Sequence, residues 1–163
     1  MERDVLKKFL DACHEAKRII ELMPALPKGM SPRHIQVIDT IYQLCQRNGE
    51  VKVSDISNDL NVTRPSITKL VGELEALGVV KKVPDVNDRR VIWLRLTALG
   101  EGYYDFYVDQ YQHWLLQQLQ EIPEDGFVKT AQTIGQVHEI LEQKKPMLQY
   151  MRREDNDDLR DME

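Results

Sequence analysis

Nine residues carry the chemistry that stands out in this chain: Thr63, Arg64, Pro65, Ser66, Thr68 and Lys69 on one short segment, and Asp88-Arg89-Arg90 further on. A guanidinium offers a planar fork of donors that fits a phosphate or the edge of a guanine. An ammonium reaches either as a point charge, and a hydroxyl can donate or accept. No long acidic side chain interrupts the first segment from Thr63 to Lys69. Small, polar and cationic groups in that pattern suit close approach to a narrow, polar, anionic surface such as a groove of double-stranded nucleic acid. This is recognition chemistry; nothing in it makes or breaks a bond.

Those groups need a scaffold that turns them outward. Thr63 stands as an N-cap, Pro65 sits in the first turn, and Gly78 follows the last apolar residue, so a helix is expected from Thr63 to Leu77. Ile67, Leu70, Val71 and Leu74, at i, i+3, i+4 and i+7, form its inward stripe. That leaves the cationic and hydroxyl residues, with Gly72, on the outer face. Residues 53–60 read as a shorter helix with Ile56 and Leu60 inward. Lys52 stands where a Ser or Thr cap is usual, which moves the expected start of that helix to Ser54. Asn61-Val62 makes the turn between the two helices, and Asn tolerates the left-handed backbone such a turn needs. Two short helices joined this way form a helix-turn-helix, whose second helix enters the major groove. Residues 80–83 and 91–96 then read as two strands, with Ile92, Leu94 and Leu96 on one face. Pro84, Asp85, Asn87 and Asp88 make the turn, and Arg89 and Arg90 sit at its tip. A two-stranded ribbon is marginal alone and must lean on neighbouring helices, as a wing does.

With these elements in place the chain resembles the MarR family of winged-helix bacterial regulators. The resemblance rests on Asp85-Val86-Asn87-Asp88-Arg89-Arg90, Leu94-Arg95-Leu96-Thr97 and Gly100. It extends upstream through Met30-Ser31-Pro32, Ile35, Val37-Ile38, Ile56, Leu60 and Val62-Thr63-Arg64-Pro65-Ser66. It implies a mainly α fold with a small β-hairpin wing: a winged helix-turn-helix plus interlocking N- and C-terminal dimerisation helices. The expected divisions are an N-terminal dimerisation helix and loop (1–30), a DNA-binding domain (31–97) and C-terminal dimerisation helices (98–151). Residues 152–163 form an acidic tail expected to be disordered. Within that frame Thr63, Arg64, Ser66, Thr68 and Lys69 address the major groove. Narrow A·T-rich minor grooves attract arginine, and Asp88 can orient one of the wing arginines by ion pairing. The residues alone leave Arg89 and Arg90 equivalent; the resemblance favours Arg90. Lys81 and Lys82 are weaker phosphate candidates.

A net charge of -5 looks wrong for such a partner until it is divided along the chain. Residues 52–97 carry eight Lys/Arg against six Asp/Glu, whereas residues 98–163 carry six against fourteen. The candidate reading head is therefore locally basic, and phosphate affinity follows the local field. Cys13 and Cys45 are too few and too far apart for a disulfide framework, so a reducing cytoplasm is the expected compartment. The charged N-terminus does not read as a signal peptide, and no apolar run approaches the roughly 18 residues that would cross a membrane.

Outside the reading head, residues 4–23 carry a broad apolar stripe. Ser31 and Pro32 open a second helix with Ile35, Ile38, Ile41, Tyr42 and Cys45 inward. Thr97 caps a long helix to about Ile122, and Pro123 opens another that Pro146 should interrupt or end. One winged domain is too small to cover all these stripes. They are expected to interlock with those of a second copy, which places two reading helices about 34 Å apart on a pseudo-palindromic site.

Residues 103–114 hold six of the eleven aromatic residues. Tyr104, Tyr107 and Tyr111, with Trp93 from the wing, are candidates for a pocket that takes a small aromatic effector. The plainer reading is that the rings fill the dimer core and the neck above the DNA-binding lobe. Cys13, on an apolar stripe, reads as a small hydrophobe ahead of a thiol sensor. Asp105, Asp109 and His113 read as a solvated face ahead of a metal site. No metal or cofactor is expected. The chain has no phosphate loop, dinucleotide fingerprint, HExxH, Cys-x-x-Cys or nucleophile elbow, so an enzyme is not expected. The other reading is a winged-helix module for protein–protein assembly without specific DNA binding. The wing arginines and the uncluttered outer helix face argue against it.

Overall fold

The computed structural model describes residues 1–158. Its elements run α1 (Arg3–Glu21), α2 (Pro32–Asn48), α3 (Val53–Asp59), α4 (Arg64–Ala76), β1 (Val80–Pro84) and β2 (Ile92–Leu96). A rod follows, made of α5 (Ala98–Tyr104), a π-helical segment (Asp105–Gln110) and α6 (Tyr111–Gln118); α7 is Glu124–Asp158. The chain divides into two units, Met1–Gln117 and the part from Gln118 onward.

Helix α2 is the spine of the first unit. Ser31 and Pro32 open it, and the backbone N–H of Ser31 donates to His34 Nδ1 at 3.0 Å. Ile35, Val37, Ile38, Ile41 and Leu44 are buried. Val37 and Leu44 fall outside the single stripe expected from the sequence, because α3, α4, β2 and α5 all pack on this helix. Ile56, Ile67, Val71, Leu74, Val79 and Leu94 complete the core around it.

The helix-turn-helix forms as expected, with one correction. Helix α3 starts at Val53, not Ser54: Lys52 has no hydroxyl to cap with, but Asp55 reaches back to accept the Lys52 backbone N–H at 2.8 Å, the reciprocal arm of a capping box, and fixes the first turn. Asn61 takes the left-handed backbone at φ +50. The Ser57 hydroxyl, buried beneath the turn, donates to the Val62 carbonyl at 2.5 Å. The Ser57 hydroxyl, with the Asn58 carbonyl accepting the Asn61 N–H at 3.3 Å, therefore ties the turn down. Thr63 stands at the N-cap position of α4, its hydroxyl against Ser66 Oγ and making no cap bond to the backbone; Pro65 lies in the first turn, and Gly78 closes the helix at φ +71.

Strands β1 and β2 pair antiparallel from Val80↔Leu96 to Pro84↔Ile92. Leu94 is fully buried and Leu96 half-buried, but Ile92 is exposed, because the ribbon outruns the helices that cover its base. Leu94 N–H also donates to the Val51 carbonyl at 2.7 Å, which ties the wing to the segment before α3. Thr97 joins wing to rod: its hydroxyl donates to the Gly78 carbonyl at 2.7 Å and accepts the Gly100 N–H at 3.2 Å. Gly100 has to be glycine here, since a Cβ would run into the Val79 carbonyl oxygen. The rod breaks at Gln118, short of the expected Ile122.

Helix α7 corrects two expectations. It continues past Pro146, which removes one backbone hydrogen bond without ending a helix flanked by strong formers such as Glu, Gln, Lys and Leu. It also runs through residues 152–158 of the expected disordered tail, since a charge-rich composition opposes burial more than helicity. Residues 159–163 of that tail lie outside the described residues.

Candidate nucleic-acid interface

The outer face of α4 is open. Thr63, Arg64, Pro65, Thr68 and Lys69 are exposed, and Ser66 is half-buried. Local bonds set the state of each hydroxyl. Thr63 Oγ1 and Ser66 Oγ lie 2.9 Å apart, and Thr68 donates to the Arg64 carbonyl at 2.9 Å, leaving its oxygen as an outward acceptor. Lys69 Nζ stands 3.9 Å from Glu73 Oε1 at the surface, a spacing that holds the ammonium weakly.

Glu73 is a residue the sequence reading missed. Its other oxygen accepts from His34 Nε2 at 2.9 Å. Because Nδ1 takes the Ser31 N–H, the transferable proton lies on Nε2, and the imidazole bridges the start of α2 to the middle of α4. The sequence marks Ser31 as the cap of α2 but assigns no role to His34, which closes the capping box in the fold. The His34 partner, 39 residues away, is not visible in the sequence.

At the wing tip Asp85 organises the turn. One oxygen accepts the backbone N–H groups of Asn87 and Asp88 at 2.8 Å each, and the other accepts Trp93 Nε1 at 2.9 Å. The Trp93 bond first, then those two N–H groups, hold the Asp85 carboxyl below the usual carboxylate range. Asp88 accepts from Arg90 Nε at 3.1 Å, Nη2 at 3.3 Å and the Arg90 backbone N–H at 3.0 Å. That fork lowers the Asp88 carboxyl too. The Arg90 side chain is 91% exposed, so the pair contributes little stability. Its effect is orientation: the pair biases the guanidinium toward Asp88 at the tip and leaves it open to solvent. Arg89 is exposed at the same tip. Lys82 is tied to Glu75 at 2.6 Å, which leaves it less suited to a phosphate than Lys81.

A capped reading helix, a left-handed Asn turn and a wing with a carboxylate-braced arginine thus occupy one unit. The MarR family model matches residues 28–91, the stretch that builds α2 to the wing tip. Over that stretch, 64 of the 163 residues, the chain resembles the MarR family of winged-helix transcriptional regulators. It is 35% identical over 65 residues to the HTH-type transcriptional regulator FarR of Neisseria gonorrhoeae, covering 40% of this chain. The chain thus spans less than half of that relative, 44% of its length. Its fold is similar to that of Streptococcus pneumoniae FabT in complex with DNA, with a TM-score of 0.62 at 21% identity over 86% of this chain and 98% of that one. It is also similar to the PcaV transcriptional regulator of Streptomyces coelicolor in complex with its natural ligand, with a TM-score of 0.61 at 17% identity over 85% of this chain and 93% of that one.

The aromatic residues of this chain divide among three places. Tyr104 is buried, stacks on Tyr42 with ring centroids 3.6 Å apart, and accepts from Gln43 at 3.2 Å, so it belongs to the core. Trp93 stays in the wing, bound to Asp85 and with Lys52 Nζ 4.5 Å above its ring, away from the helical tyrosines. Tyr107 and Tyr111 do come together, on one wall of an open-sided cavity of about 480 Å³ between α1, α2 and the rod. The π-helical segment carries Tyr107, whose hydroxyl donates to the Ala25 carbonyl at 3.0 Å. Cys13 is half-buried on α1, and burial pushes the Cys45 thiol up. His113 packs on its own helix, with Nδ1 2.8 Å from the Asp109 carbonyl.

Proposed function

We propose that two copies of this chain bind a pseudo-palindromic operator in double-stranded DNA and act as a ligand-responsive repressor. The observation that carries this is the pairing of the open α4 face with a wing arginine that Asp88 braces and leaves open to solvent. The α4 residues supply base-edge and phosphate contacts, and Arg90 supplies minor-groove insertion. The FabT complex supports a DNA partner for this fold.

A second copy answers a different problem. Helix α1 buries no residue, and Val5, Leu6, Leu10, Ile19 and Ile20 are exposed along it. Taken by itself, α7 leaves Phe127, Val128, Ile134, Ile140 and Leu141 exposed. Apolar stripes of this length in water mark an interface, and covering them yields about 25 cal/mol per Å². The cavity beside Tyr107 and Tyr111 is the effector site in this reading, in keeping with the ligand held by PcaV. Ligand acts by favouring a spacing of the two reading heads that no longer fits the operator.

The test is selection of bound duplexes from random DNA, followed by fluorescence anisotropy at two salt concentrations. The reading requires a preferred sequence and an affinity that falls steeply with salt. Absence of any complex at low salt would favour the protein-assembly module instead.

A further inference from the structure

The cavity between α1, α2 and the rod carries a charge that DNA binding does not use. Asp39 lies on α2 between the buried Ile38 and Thr40, and it lines this cavity. Its Oδ1 is buried and has no hydrogen-bond partner among the described residues. A buried polar atom left in that state is costly and calls for a donor. Rotation about the terminal torsion of Asp is soft, so either oxygen can turn toward a group in the cavity.

The surroundings set the sign of that group. Burial raises the Asp39 carboxyl first and Asp59 raises it further, against a hydrogen bond from Gln43. The Tyr104 phenol is pushed up by burial and then by Asp39, Tyr42, Asp109 and Asp105. Acidic groups therefore gather around the middle of α2. Arg33, also on the cavity, is exposed, where water already satisfies it. The remaining walls are largely apolar, with Ile20, Met23, Val108 and Leu115 beside the rings of Tyr107 and Tyr111.

We propose that the cavity takes a flat aromatic cation, an amine or amidine carried on a ring system, with its N–H groups on Asp39 and its rings against Tyr107 and Tyr111. The inference rests on the reading of this cavity as the effector site. An ammonium or amidinium gives Asp39 a charge-assisted hydrogen bond and compensates its burial. The rings gain stacking with the two tyrosines. An aromatic acid of the same shape leaves Oδ1 without a donor and adds a charge that Asp39 repels.

An isosteric pair decides the matter: 2-naphthylmethylamine and 2-naphthoate, each titrated against the full chain in a thermal-shift assay at pH 7.5. The amine is expected to raise Tm saturably in the wild type, with at least tenfold weaker binding to Asp39→Asn, while naphthoate does nothing. Circular dichroism of Asp39→Asn checks that the variant is folded, and Tyr111→Ala offers a second variant that should also weaken the amine. Naphthoate binding as well as the amine, equal amine binding to folded Asp39→Asn, or no binding of the amine up to millimolar concentration would each overturn the proposal. Operator binding by the wild type, measured on the same preparation, separates the two claims. Intact DNA binding with any of those results sinks only the choice of ligand, whereas loss of DNA binding sinks the regulator reading.

Discussion

Glu73→Ala should be one of the most informative substitutions on the reading helix. It removes the acceptor for His34 Nε2, whose side chain is almost wholly buried (residue exposure 5%). Orphaning a buried donor costs about 1–3 kcal/mol. The Glu73 side chain is itself 42% exposed, so water can follow the truncation inward and the cost should fall toward about 1–2 kcal/mol. Glu73→Gln keeps an oxygen in the same place and should recover most of that loss. Urea denaturation with unchanged slope measures both variants. Operator affinity should move differently, since Glu73→Gln also removes a carboxylate 3.9 Å from Lys69 and frees that ammonium for phosphate. Glu73→Gln should therefore bind DNA as tightly as the wild type or more tightly, with a steeper salt dependence. A Glu73→Ala protein as stable as the wild type, or a Glu73→Gln protein as unstable as the alanine variant, would refute the bridge between α2 and α4.

Three further outcomes follow from other parts of the molecule. Arg90→Ala should weaken operator binding by about 1–3 kcal/mol in fluorescence anisotropy while light scattering still shows a dimer; unchanged affinity removes Arg90 from the interface. Gly100→Ala forces a methyl group against the Val79 carbonyl and Leu96, and should lower stability by about 1–3 kcal/mol in urea. The Asp85 and Asp88 carboxyls are both depressed in the folded wing, so their contribution is present above the usual carboxylate range and lost as pH falls below about 4. Trp93 fluorescence in a Trp114→Phe background should stay constant through the usual carboxylate range and change only at lower pH, as the Asp85 bond breaks; a change already complete within the usual range would contradict it.

Much of the reading head could be foreseen because its signals are local. Thr63, Pro65 and Gly78 bound α4 by their own backbone preferences, Asn61 marks the left-handed turn, and Ile67, Val71 and Leu74 declare the inward face by spacing. What escaped depends on contacts distant in sequence. Val37 and Leu44 look like off-stripe residues until four elements close around α2. Lys52 looks like a poor cap until Asp55 reaches back to it. Trp93 was grouped with the helical tyrosines, but its indole N–H answers to Asp85 across the wing turn. Asp39 did leave a trace, a lone acid within the apolar run of α2, and its meaning rests on a cavity that only the folded chain forms.

Hydroxyl-radical footprinting on a duplex selected from random DNA tests the central claim most directly. Two symmetry-related arms should protect two equivalent patches of backbone, centred about 10–10.5 base pairs apart. A single protected patch, or uniform protection that ignores sequence, would contradict a paired reading head.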